Sequence, residues 1–405
     1  MRKLVILAST LLIIILTAVF LVPYIINNKN AETKPFYIGV TYTGNSISDA
    51  KLLIERVKNY TNLFVVQSLN FGRNETALTE ICDYAVAQNL SIIVNLLNAA
   101  TINSTLLIWQ LPFLENAEQR WGNRFLGVYY DDEPGGIQLD YDWSSFFAQP
   151  YSAGFARLFP DLNSDDNGST PRDYTNEARL FTNIIKFNLR PDKWKDAGVT
   201  SFTSDYGLYW WDYLGGYDVL LAQLGRTPHT LVQEIALVKG AARMQNRSWG
   251  TIITWVYDEP PYIDSGDNIY QQVLMSYEAG AKYTVIFNYP QIEGNPYGGI
   301  LEDEHFEALE GFWNDVMVEP NQQAFPDYSK AEAVLVLPPN YGWGMRHQND
   351  RIWGFWGPDE KSPQIWELSR ELLSQYGLSL DIVYDDPDFP VAGKYPHVYY
   401  WNQTV

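Results

Sequence analysis

Two short stretches carry the residue types that acid–base chemistry needs: Tyr130-Asp131-Asp132-Glu133-Pro134 and Val256-Tyr257-Asp258-Glu259-Pro260. Each follows an apolar, β-rich run. The proline behind each glutamate cannot extend a hydrogen-bonded ladder, so both stretches mark the place where a strand gives way to a loop. Side chains alternate along a strand, which puts Tyr129, Asp131 and Glu133 on one face of the first, and Trp255, Tyr257 and Glu259 on the matching face of the second. Two carboxyl groups aimed into one mouth can divide the work of breaking a glycosidic bond. One protonates the leaving oxygen while the other attacks the sugar carbon or activates water, at separations of ~5–5.5 or ~6.5–9.5 Å respectively.

Beside the first glutamate, Asp131 or Asp132 is placed to raise the pKa of Glu133 by like-charge proximity and keep it protonated, as a general acid must be. The plainer reading is that they bond loop amides or arginines. Asp205 ends another strand and is followed by Tyr206-Gly207-Leu208-Tyr209-Trp210-Trp211, where Tyr206, Trp210 and Trp211 offer flat apolar faces on which a sugar ring can stack. Those two tryptophans serve equally well to anchor a loop to its scaffold. Tyr42, Gln67, Asn95, Tyr257, Asp258 and Asn288 also fall at strand ends and complete the substrate-binding candidates.

Other chemistries find little footing. His229, His305, His347 and His397 are scattered, with no metal-ligand spacing and no Ser-His-Asp pattern, so neither a metal nor a cofactor is expected. Asp161, Asn163, Asp165 and Asn167 alternate oxygen ligands before Gly168 but lack the distal glutamate of a calcium loop. Cys82 lies at helical spacing with Leu78, Ile81 and Ala85 and reads as core. A net charge of −20 argues against nucleic acid as a partner.

The elements that must position these residues alternate regularly, short apolar runs with helical patterns, as parallel strands with crossover helices do. Strands are expected at 36–43, 63–67, 91–97, 125–130, 200–204, 217–221, 250–257 and 283–288, with a long loop at 137–173. Eight such units suggest a closed (β/α)8 barrel over residues 31–320, favoured over an open doubly wound sheet because no Gly-rich phosphate turn follows the first strand. After Pro320 a smaller α/β domain is expected over 328–405, with strands at 333–337, 380–384 and 397–401. The Trp- and Gly-rich stretch 341–356 fits either a loop facing the barrel or domain packing.

Leu4 to Ile26 contains no charged residue and follows Arg2 and Lys3, which predicts a transmembrane signal anchor within residues 1–30, with the rest of the chain outside the cell. Seven Asn-x-Ser/Thr sequons, at Asn59, Asn74, Asn89, Asn103, Asn167, Asn246 and Asn402, fit a glycoprotein in that compartment.

With its two glutamates at the ends of the fourth and seventh strands, the chain resembles the TIM-barrel glycoside hydrolase superfamily. The following α/β domain is similar to accessory domains of β-galactosidase-like members. The resemblance implies an enzyme acting on carbohydrate by a retaining mechanism, with Glu133 as acid/base and Glu259 as nucleophile, and the N-terminal run adds the membrane anchor. In many members Asn precedes the acid/base glutamate, whereas this chain has Asp132. Two rival readings keep the same fold: a non-catalytic glycan-binding or surface-structural barrel, and an aromatic surface that contacts a protein partner.

Overall fold

A computed structural model describes residues 35–96, 109–149, 172–225, 230–318 and 325–403. Eight parallel strands close into a ring in chain order: β1 (Tyr37–Tyr42), β2 (Leu63–Val66), β3 (Ser91–Asn95), β4 (Phe125–Tyr129), β5 (Ser201–Asp205), β6 (Val219–Leu224), β7 (Ser248–Ile253) and β8 (Tyr283–Ile286). Closure runs through the pairing of Tyr37–Val40 with Tyr283–Ile286. The expected barrel is therefore the observed one. The expected anchor at Leu4–Ile26 and the run 161–168 lie outside the described residues, among which no helix is long and apolar enough to cross a membrane.

Alternation explains how the strands are buried on both faces. Leu63, Val65, Ile93, Tyr129, Phe202, Leu221, Ile252 and Val285 point inward and fill the barrel. Their neighbours Phe64, Val66, Ile92, Val94, Val128 and Leu220 point outward into the layer under the helices. Cys82 is fully buried in that outer layer, on the helix Glu75–Ala87. The helices begin where side chains can accept orphan amides: Ser46 takes Asp49 N–H before Ile47–Val57, and Asn74 takes Ala77 N–H before Glu75–Ala87. Each such cap contributes ~1 kcal/mol.

The C-terminal strands β9 (Ala333–Leu337), β10 (Leu380–Tyr384) and β11 (His397–Tyr400) form a separate parallel sheet in the order β10-β9-β11. It packs on the barrel helix Leu231–Met244, and residues 36–405 make one compact unit. At the contact, a Cβ on Gly240 would lie 2.5 Å from the Ile382 carbonyl oxygen, so only glycine allows this approach. Asp381, fully buried in β10, receives Arg243 Nε at 2.6 Å, Tyr395 Oη at 3.0 Å and Lys239 Nζ at 3.4 Å. A buried carboxylate held this way costs about 3–5 kcal/mol to break from one side.

Stretch 341–356 packs against the barrel. Trp353 meets Trp211 edge-on at 4.6 Å and Phe181 at 5.8 Å, while Arg346 pairs with Asp140 at 2.8 Å.

Candidate active site

β4 ends at Tyr129, whose ring lies in the barrel interior. Beyond it the alternation stops, because Asp131 (φ 46°) and Glu133 (φ 55°) adopt left-handed backbone. Such geometry costs non-glycine residues on the order of 1–3 kcal/mol and persists only where the surroundings enforce it. Here they do. Thr203 Oγ1 donates to the Asp131 carbonyl, Tyr217 Oη to the Tyr130 carbonyl at 3.0 Å, and Glu133 N–H to the Ser204 carbonyl at 3.0 Å.

The short helix Pro134–Asp140 starts at once, with proline where a helix wants no donor. The Asp205 carboxylate accepts Gly135 N–H at 2.6 Å and Gly136 N–H at 2.8 Å, a direct use of the orphan amides of that first turn. A Cβ on Gly136 would stand 2.1 Å from the Tyr206 ring, so glycine is what lets this turn settle.

Asp132 and Glu133 are thereby brought to the C-terminal mouth of the barrel and tied into one network. Ser204 Oγ donates to Asp132 Oδ1 at 2.8 Å, and the Tyr129 hydroxyl lies 2.7 Å from Ser204 Oγ and also bonds Asp132. Gln223, an amide inside the apolar strand β6, donates through Nε2 to Glu133 Oε1 and to Ser204 Oγ at 3.1 Å. Asp132 is exposed at the open cleft, and its carboxyl is held by the Tyr129 and Ser204 hydroxyls. Desolvation, followed by the charge of Glu133, pushes its carboxyl up to about 6 against the hydrogen bonds from Tyr129 and Ser204. Beneath the mouth, burial raises both Asp205 and Asp212. The backbone amides of Gly135 and Tyr206 offset part of this for Asp205, and the charge of Asp205 adds to it for Asp212.

The cleft has a volume of about 760 Å³, within the range of small-ligand sites. Its β4 side carries Asp131, Asp132 and Glu133; half-way round the ring, β7 and β8 contribute Thr254, Trp255, Phe287 and Tyr289. Tyr289 contacts both Trp255 and Phe287 at 5.7 Å between ring centres, giving a continuous aromatic wall. Gln67, Asn70, Arg73 and Asn95 line the β2–β3 side. Gln67 Oε1 has no hydrogen-bond partner among the described residues.

Of the residues singled out in the sequence, Asp131, Asp132, Glu133, Gln67 and Asn95 line this cleft. The others stand elsewhere. Asp205 is fully buried as the support just described, and Tyr206 is buried with its hydroxyl on Asp140 at 2.9 Å. Trp210 and Trp211 are buried against Tyr384 of β10, so they anchor the loop and offer no face to a ligand. Tyr42 is fully buried and donates to the Ser46 carbonyl at 2.7 Å; Asn288 is fully buried and accepts Ile300 and Leu301 N–H.

Tyr257, Asp258 and Glu259 are exposed in the loop after β7 and are not among the residues that line the cleft. The physical reason is that β7 stops at Ile253. Val256 and Tyr257 then give their N–H groups to the Tyr262 carbonyl, at 2.8 and 2.9 Å, and Tyr262 N–H returns to the Glu259 carbonyl at 2.9 Å. The segment thus satisfies its own backbone and carries Glu259 off the strand axis. The residues not foreseen are Ser204, Gln223, Arg73, Asn70 and Tyr289. Gln223 had a signal, a lone amide in Val219–Leu224, but it lies two residues past the expected strand end.

Among the described residues no group of three or more His, Cys, Asp or Glu is arranged to hold a metal ion. No family model and no curated protein matches the chain. Among solved structures, an endo-1,4-β-mannanase from Eisenia fetida is 12% identical (TM-score 0.41; 70% of this chain, 92% of that one). A β-1,4-mannanase from the sea hare Aplysia kurodai is 10% identical (TM-score 0.38; 73% and 96%). A truncated 3-deoxy-D-arabino-heptulosonate 7-phosphate synthase from Thermotoga maritima is 8% identical (TM-score 0.36; 71% and 87%). Likenesses this distant carry no weight for activity, and the fold rests on the strand order itself.

Proposed function

We propose that the chain is a glycoside hydrolase working from the C-terminal mouth of its barrel, with Asp132 and Glu133 as the reacting pair. The observation that carries this reading is the cleft itself: linked carboxyl groups on β4 face an aromatic wall on β7–β8, with amides between them. Sugar rings present C–H faces to aromatic surface and hydroxyls to amides, so one cavity supplies both kinds of contact.

Asp132, held protonated in mildly acid solution, gives its proton to the leaving oxygen as the glycosidic C–O bond breaks. Glu133, fixed by Gln223, stands as the carboxylate that meets the developing positive charge and closes on the sugar carbon. Water then cleaves that ester and returns a proton to Asp132. One water is consumed, both carboxyl groups are restored, and configuration is retained. This assignment departs from Glu259 as nucleophile, which is exposed and not among the residues that line the cleft.

The charge-free run Leu4–Ile26 supports a membrane anchor with the barrel outside the cell, and the sequon residues Asn59, Asn74, Asn89, Asn246 and Asn402 are all exposed. The test is hydrolysis of a panel of aryl glycosides and polysaccharides by the full chain, beside Glu133→Gln and Asp132→Asn. Loss in both variants, with product of retained configuration by NMR, supports the proposal. A wild type that cleaves nothing yet binds sugars makes the barrel a lectin-like module.

A further inference from the structure

We infer that the cleft takes a glycan bearing an isolated acidic group, and that the Arg73 guanidinium receives that group; the inference rests on the glycan reading of the cleft. Arg73 closes the short 3-10 turn Phe71–Arg73 after β2, is exposed, and lies on the cleft lining. Five other described arginines are held by carboxylates: Arg56 by Asp303, Arg120 by Asp83, Arg243 by Asp381, Arg247 by Asp218 and Arg346 by Asp350. The Arg73 side chain has no hydrogen bond or ion pair among the described residues.

A chain with 48 acidic and 28 basic side chains has carboxylates to spare, so a fork of five donors left open in the cleft is matched to something that arrives from outside. Guanidinium geometry suits a carboxylate or sulfate, which it can bind through two parallel hydrogen bonds. Asn70 and Gln67 beside it supply amide groups for the neighbouring hydroxyls.

Charge density sets the class more narrowly. A net charge of −20 and the carboxyl groups on β4 repel a dense polyanion, with a screening length of ~8 Å at physiological salt. One acidic group on an otherwise neutral glycan escapes most of that repulsion. It also orients the substrate, with the anion toward β2 and the bond to be cut toward β4.

The test is binding of the full chain to immobilised oligosaccharides carrying a single uronate or a single sulfate. Each is paired with its carboxyl-reduced or desulfated counterpart and with a dense polyuronate. The acidic member of a pair should bind about tenfold more tightly. Arg73→Ala should erase that difference while leaving the neutral counterpart and the thermal midpoint unchanged, and Arg73→Lys should keep part of it. The two arms show whether carboxylate or sulfate is the group received. No preference in the wild type, a preference that survives Arg73→Ala, tighter binding of the polyuronate, or no binding at all each overturn the inference. Hydrolysis of acidic and neutral glycans alike, with neither sensitive to Arg73→Ala, sinks it but spares the hydrolase; Arg73-dependent binding without hydrolysis does the reverse.

Discussion

The tripeptide Asp-Glu-Pro occurs at 132–134 and again at 258–260, and the two copies end in opposite circumstances. At the first, Glu133 is drawn inward by Gln223 and its backbone is held by β5. At the second, Glu259 stands exposed in a turn that bonds only to itself. The residues immediately after each copy decide the matter. Gly135 and Gly136 let the chain press against Tyr206 and hang its amides on Asp205, whereas Pro261 after Pro260 removes another donor and leaves only a local turn. A functional carboxylate is thus specified less by its own motif than by what its neighbours can offer to hold it.

The sharpest way to break the comparison is to neutralise Glu133. Glu133→Gln keeps an acceptor for Gln223 but removes the charge and the nucleophile, so kcat/KM should fall ~10³-fold or more while the melting temperature holds. Asp132→Asn should fall ~10²–10⁴-fold and abolish the alkaline limb of the pH–rate profile near 6. A wild-type-like rate in either variant would remove the pair from the reaction.

Buried carboxyl groups on the helices around the barrel give the folded state a pH dependence. Burial pushes Glu234 up to about 8, against a hydrogen bond from Tyr209, and burial with Asp173 nearby pushes Glu177 up to about 8. In the unfolded chain both lose their protons near ~4.3. Between those values the folded state binds more protons, so its stability is full below about pH 4.3 and drains away as pH rises toward 8. The two groups together account for a change on the order of several kcal/mol. Thermal midpoints should therefore rise steadily from pH 8 to pH 5, and Glu234→Gln should flatten the curve. A midpoint that falls on acidification through that range would contradict it.

A smaller effect is expected of Gln223. Its amide joins Glu133 to Ser204, so Gln223→Ala should lower kcat by ~10-fold or more with KM little changed, the mark of a group that positions rather than binds. An equal rise in KM instead would make Gln223 a substrate contact.

The barrel was legible because its strands are continuous β-branched and aromatic runs; Ala333–Leu337 and Leu380–Tyr384 fall where their residues predict. Strand ends were not, because an end is set by backbone bonding across the sheet or within the next loop. Extending β7 to Tyr257 put Glu259 in the mouth, and stopping β6 at Leu221 left Gln223 out of it. Asp132 was legible as a residue but not as a partner, since its contacts depend on left-handed backbone at Asp131 and Glu133, where sequence has no glycine to announce it. The stacking wall was sought at Trp210 and Trp211, whose rings instead join the barrel to the second sheet. Trp255, Phe287 and Tyr289 form that wall from β7 and β8.

The least effect is expected where the motif alone promises the most. Glu259 is exposed, its backbone serves only its own turn, and the cleft is lined without it. Removing an isolated surface charge changes free energies by about ±0.5 kcal/mol, or roughly twofold in rate, so Glu259→Gln should be nearly silent in both kcat/KM and melting temperature. A hundredfold loss, with azide restoring turnover to Glu259→Ala, would mean that the 256–262 turn folds over the bound sugar and delivers a second carboxylate from above. Glu133 would then revert to proton donor, and the two copies of Asp-Glu-Pro would differ in timing rather than in role.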